Sequence, residues 1–138
     1  MAPGFEVLEH TADTGIIAYG ADLKQAFANA AIGLFSLIVD LGSVRETLEL
    51  QVEVNAPDTE SLLVEWLNEL IYIFDVDNLL FKRFEIIELE AGRLRARAYG
   101  EKVETERHEI KLGVKAATYH MLRIEKNNGY KLQVIFDI

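Results

Sequence analysis

The sequence predicts a single α+β domain over residues 1–138, with two long helices packed on an antiparallel-rich mixed sheet. Three observations predict it. Two stretches repeat their apolar residues every three or four positions, as helices do. Several others alternate apolar and polar residues, as half-buried strands do. Turn dipeptides join the strands in pairs late in the chain, which favours antiparallel hairpins over parallel crossovers. A chain of 138 residues suits one domain and can bury a substantial core.

The elements follow in order. Phe5–Glu9 and Ile16–Tyr19 read as short strands around the polar turn His10-Thr11-Ala12-Asp13-Thr14-Gly15. The first helix has apolar residues at Leu23, Ala26, Phe27, Ala30, Leu34, Leu37, Ile38 and Leu41. Asp22 is placed to cap its start and Gly42 to end it. Gly33 costs a helix interior about 1 kcal/mol against alanine, and it allows close packing. Residues 46–56 alternate, with Leu48, Leu50, Val52 and Val54 on one face. The second helix begins at a cap, Asp58 or Thr59, and shows a broad apolar face through Leu62, Leu63, Trp66, Leu67, Leu70, Ile71 and Phe74. A turn is expected near Asp75–Asn78. Two hairpins complete the chain. Residues 79–90 and 93–103 join at Ala91-Gly92, and residues 117–126 and 130–138 join at Asn127-Asn128-Gly129.

Composition excludes several functions. There is no cysteine, so disulfides, thiolate zinc sites and cysteine nucleophiles are absent together. A cytoplasmic location fits. The N-terminus lacks the basic and apolar regions of a signal peptide, and no apolar run reaches the roughly 18 residues of a membrane span. Fourteen Lys and Arg oppose 23 Asp and Glu, for a formal charge of −9. Such a chain repels phosphate backbones on average, so strong direct nucleic-acid binding is not expected. Cations and basic proteins suit it better. No phosphate loop or nucleophile elbow occurs, and Ser36, Ser43 and Ser61 lie within or beside the helices.

Three places could carry chemistry. His10 could orient or cap the first turn, while Asp13 could bind a ligand or simply form an Asx-turn with Gly15. The chain closes on the apolar run Val134–Phe136, then Asp137 and Ile138. If this strand pairs beside the first ones, Asp13, Asp137 and the Ile138 carboxylate converge. Clustered carboxylates need a proton or a cation, and hard oxygen donors favour calcium, magnesium or manganese over zinc. The third place, residues 107–120, is basic in an acidic chain. Lys111 and Lys115 straddle Gly113 there, with His120 beyond. It is either a solvated loop or a docking surface. His108 reads as a structural histidine. Arg93, Arg95 and Arg97 share one strand face, with Glu90 opposite Arg93 and Glu88 opposite Arg95, and read as an exposed, charge-paired surface.

Four motifs carry a resemblance: "HTADTG", "LLVEWLNELIYIFD", "VKAATYH" and the terminal "VIFDI". In that order, and over essentially the whole chain, the sequence resembles the archease family. The resemblance implies a non-enzymatic protein cofactor of the RtcB-type tRNA ligase. Such a cofactor promotes guanylylation and multiple turnover of the ligase in tRNA splicing. The resemblance also implies a divalent metal ion, generally calcium, held by Asp13, Asp137 and Ile138. Lys115 matches the family motif as a candidate contact to the ligase or its nucleotide, with His10 and His120 as accessory candidates. Two other readings stand beside it. One is a metal-free interaction module that docks a partner through the basic loop. The other is a small metal-dependent hydrolase with His10 or His120 as base.

Overall fold

The structure, a computed structural model, describes residues 4–10 and 13–138; the side chains of Glu9, His10 and Asp13 lie outside the described set. Strands β1 (Phe5–His10) and β2 (Asp13–Gly20) form an antiparallel hairpin. Helix α1 (Leu23–Ile38) follows, then a short 3₁₀ turn (Leu41–Ser43), β3 (Leu48–Asn55) and helix α2 (Thr59–Asp77). Strands β4 (Leu79–Glu90) and β5 (Arg93–Lys102) form a long hairpin, and β6 (Ala116–Ala117), β7 (Arg123–Lys126) and β8 (Tyr130–Asp137) close the chain.

The α+β class stands. The expected mixed sheet resolves into two sheets whose described pairings are all antiparallel. One has the order β1-β2-β8-β6, with β7 also pairing β8; the other has the order β3-β5-β4. Helix α1 packs on β2 of the first sheet and β4 of the second, and so joins them. Helix α2 packs on β3 and β6.

Local chemistry explains the boundaries. The Asp22 carboxylate accepts from the Gln25 N–H at 2.8 Å, and that of Asp58 from the Ser61 N–H at 2.7 Å, so each satisfies a donor the first turn leaves open. Helix α1 ends at Val39, ahead of Gly42, because Asp40 starts the 3₁₀ turn by accepting the Gly42 N–H. Helix α2 runs on through the expected turn to Asp77 and is closed by Asn78 in the left-handed region, φ 56°. Ala91 and Gly92, at φ 50° and 75°, form the two-residue turn that sets Glu90 opposite Arg93.

The core lies between the helices and the two sheets. Trp66, Phe27, Phe35 and Phe81 are wholly buried in it. Phe35, Phe81, Phe84 and Trp66 meet with ring centroids about 6 Å apart, and the Trp66 indole N–H donates to the Phe27 carbonyl. Gly33 earns its place: a Cβ there would come within 3.1 Å of Ile16 and 3.3 Å of Phe5, so its absence lets α1 lie close on β1 and β2.

Candidate functional site

The end of β8 is fixed from two sides. On one side β2 runs antiparallel to it from Gly20↔Tyr130 to Thr14↔Phe136. Extending that register by one residue makes Asp13 and Asp137 neighbours along the two strands. On the other side β6 pairs with β8 at Ala116↔Asp137 and Ala117↔Phe136, and the Lys115 N–H donates to the Asp137 carbonyl at 2.8 Å. Strand β6 is itself held by α2. The Asn68 carboxamide accepts from the Ala117 N–H at 2.7 Å and donates to the Ala117 carbonyl at 3.4 Å. A chain of polar contacts thus runs from α2 through β6 to Asp137.

Asp137 and Ile138 are both exposed. Lys115 is exposed beside them, tied by its backbone to Asp137. His120 lies in the turn after β6, where its N–H donates to the Thr118 hydroxyl. The backbones of His10 and Asp13 pair with each other across the first turn. Their side chains, and with them the expected carboxylate cluster, lie outside the described residues. Among the described residues, no group of three or more His, Asp or Glu side chains is placed to hold a metal.

The stretch read as one strand from residue 117 to 126 is interrupted. The Thr118 N–H and hydroxyl both donate to the Ile135 carbonyl, at 3.0 and 2.8 Å. The chain then turns outward through Tyr119 and Met121, with Met121 in the left-handed region at φ 54°, and returns to β8 as β7. Alternation alone did not reveal this turn, because no glycine or proline marks it. Tyr119 and Met121 are more than half exposed, and the Gln133 amide holds the turn by donating to the Met121 carbonyl.

A second polar cluster escaped the sequence reading. Glu101 on β5 is buried, and its carboxylate accepts from the Arg45 N–H at 2.7 Å, from the Arg107 guanidinium through two nitrogens, and from His108 Nε2 at 3.0 Å. These donors hold the Glu101 carboxyl down at about 2, Arg107 contributing most. His108 Nδ1 accepts from the Glu104 N–H at 2.9 Å, so the network assigns the neutral ring with its proton on Nε2. His108 is structural, as expected. It pins the loop after β5, which leads to Lys111 and Lys115. The signal was weak: a glutamate on the outward parity of β5, in line with Arg95 and Arg97, with Arg-His six and seven residues on.

The outer face of β3-β5-β4 carries the expected charge pairing. Arg97 meets Glu85 at 3.1 Å and Glu49 at 3.7 Å, Arg95 meets Glu88 at 3.3 Å, and Arg93 meets Glu53 at 3.1 Å. At the end of β2 and β8 away from Asp137, an open cleft lies between Glu6, Tyr19, Gln25, Asn29 and Tyr130. The Tyr19 hydroxyl donates to Glu6 there, and this bond raises its pKa above the ordinary phenol value.

Comparison with known proteins follows the same outline. The family described as "Archease protein family (MTH1598/TM1083)" matches residues 5–138. The protein archease of Methanosarcina acetivorans is 44% identical, over 97% of this chain and 95% of its own. That of Pyrococcus abyssi is 45% identical, over 97% of this chain and 98% of its own. The solution structure of protein 1598 from Methanobacterium thermoautotrophicum superposes with a TM-score of 0.81 at 38% identity, covering 99% of this chain and all of that one. The crystal structure of an archease and possible chaperone from Thermotoga maritima shares the fold, with a TM-score of 0.66 at 21% identity over 95% of this chain and 94% of its own.

Proposed function

The chain belongs to the archease protein family, and from that premise we propose that it is a metal-binding protein cofactor of the RtcB-type tRNA ligase. In this reading it promotes guanylylation and repeated turnover of the ligase in tRNA splicing and performs no chemistry of its own. The observation that carries the reading is the β2–β8 register, which runs to Thr14↔Phe136 and so leads directly to Asp13 and Asp137.

The donor set fits the ion. Asp13, Asp137 and an Ile138 oxygen offer only hard oxygen donors, which suit calcium and also accept magnesium or manganese. Asp137 and Ile138 are exposed at a strand end anchored on both sides, so these two donors are accessible without unfolding anything. When bound, the ion supplies positive charge at this end, of the kind that stabilises phosphate oxygens. The chain's own residues do the rest. Strands β2 and β6 fix the position of Asp137. Lys115, tied to that strand end, presents a cation to the ligase or its nucleotide, and His10 of "HTADTG" and His120 of "VKAATYH" are accessory candidates. The net charge of −9 favours a basic, RNA-handling enzyme as partner over RNA itself.

The test is ligation by limiting ligase with and without this protein. The wild-type chain should convert slow or single-round joining into repeated turnover. Asp137→Ala should leave the ligase at its unassisted rate while melting at the wild-type temperature. Unchanged stimulation by Asp137→Ala would refute the metal role and favour the metal-free interaction module.

A further inference from the structure

The free edges of the two sheets are not alike. Strand β4 carries register shifts between Phe81 and Arg83 and between Ile86 and Glu88. Strand β1 is only six residues long. Strand β3 runs eight residues in unbroken register from Leu48↔Gly100 to Asn55↔Arg93, with no proline, lysine or bulge. Proline, lysine and bulges are among the devices that protect an edge, and β3 lacks these three; its charged residues are Glu49 and Glu53. Among the described residues, the hydrogen bonds and ion pairs that reach β3 come from β5.

The outward backbone groups can be identified. Just beyond β3, the Ala56 N–H donates to the Gly92 carbonyl at 2.8 Å. Antiparallel pairing repeats that inward bond at every second residue. Leu48, Leu50, Val52 and Val54 therefore bond toward β5, and Glu49, Gln51, Glu53 and Asn55 turn their N–H and C=O groups outward. The side chains add a pattern. Leu48 and Leu50 are only partly buried on the inner face. On the outer face Glu49 and Glu53 touch Arg97 and Arg93, yet stay about half exposed, at 49% and 50%.

We propose that the β3 edge is a docking site for an extended segment of another protein in which Lys or Arg alternates with aliphatic residues. The backbone groups of Glu49, Gln51 and Glu53 continue the sheet onto the incoming strand. Its basic side chains meet Glu49 and Glu53, and its aliphatic ones cover Leu48 and Leu50. Charge argues against a second copy of this chain as the occupant. Antiparallel pairing about Gln51 would set Glu49 against the Glu53 of that copy, and like charges directly opposite are destabilising. The proposal does not depend on the proposed metal-binding role of Asp137, which lies on the other sheet.

Amide hydrogen exchange on the whole protein tests it, with acetyl-Lys-Val-Lys-Val-Lys-Val-amide as probe and its Glu-Val counterpart as control. The basic peptide should slow exchange at Glu49, Gln51 and Glu53 in a saturable manner. The acidic peptide, and the basic peptide on Glu49→Lys/Glu53→Lys, should bind at least about tenfold more weakly, as expected for the loss of several cross-strand charge pairs. Gln51→Pro removes an outward donor while sparing the bonds to β5, and should abolish the effect. If that variant melts early, the double charge reversal carries the test. No slowing at these amides, equal binding of the two peptides, or dimerisation through this edge without peptide would overturn the proposal.

Discussion

Glu101 shows how one side chain can hold a loop in place. Its carboxylate gathers a backbone N–H, a guanidinium and an imidazole N–H in a buried position, where an unpaired charge would be costly. Replacing it with glutamine leaves Arg107 half-satisfied and should cost about 3 kcal/mol at neutral pH. The pH dependence has a definite sign. The carboxyl titrates near 4.5 when unperturbed and near 2 in the fold, so the unfolded chain takes up the proton first and acid favours it. The contribution is complete above pH 4.5 and is lost as pH falls toward 2. Urea midpoints of wild type and Glu101→Gln should therefore converge over that range. A gap that stays constant down to pH 2 would contradict the assignment. At this scale the sequence was legible in part. His108 reads correctly as structural, because a lone histidine is usually a satisfied group. Its partner Glu101 was hidden, because it lies on the outward parity of β5 and is buried only when Arg45, Arg107 and His108 close over it. The placing of Asp137 at the end of a paired strand was legible, because an apolar run such as Val134–Phe136 reads as a strand inside a sheet.

Among the elements, β6 and β5 carry the consequences. Strand β6 has two residues, too few to hold itself. Asn68 completes it by accepting from and donating to Ala117. Asn68→Ala should lower stability by about 1–3 kcal/mol, the range for leaving such groups unpaired. It should also weaken ligase stimulation more than a control of equal stability loss placed in the β4–β5 hairpin. Equal loss of stimulation in the two would remove the positioning role. At Gly100 a Cβ would lie 1.8 Å from the Leu80 carbonyl oxygen, contact that neither strand can relieve without shifting. Gly100→Ala should cost about 3 kcal/mol, toward the diagnostic end for single substitutions, and a melt within 2 °C of wild type would contradict this. Helices and hairpins were readable because periodicity, caps and Asn-Gly or Ala-Gly turns are local signals. The break between β6 and β7 was not. It depends on the Thr118 hydroxyl finding the Ile135 carbonyl on another strand, and no local pattern announces a partner 17 residues away.

The two proposed roles fall on different sheets. One sheet ends in Asp137 and Ile138; the other displays a ladder of glutamates and arginines with an open edge at β3. Sequence predicted two helices on strands, but not the division into two sheets, because pairing partners follow from tertiary packing. The formal charge of −9 also acts at this scale. Fluorescence anisotropy with labelled tRNA exon halves should show no salt-dependent binding by the isolated protein, and a steep loss of affinity with added salt would contradict this. The central claim is that the first turn and the last residues together hold a divalent cation. Calorimetric titration of the metal-stripped protein with calcium tests it most directly. One site per chain, lost in both Asp13→Asn and Asp137→Asn while each variant melts as wild type does, is the predicted result. Binding that survives either substitution unchanged, or no binding by the wild-type chain, would contradict it.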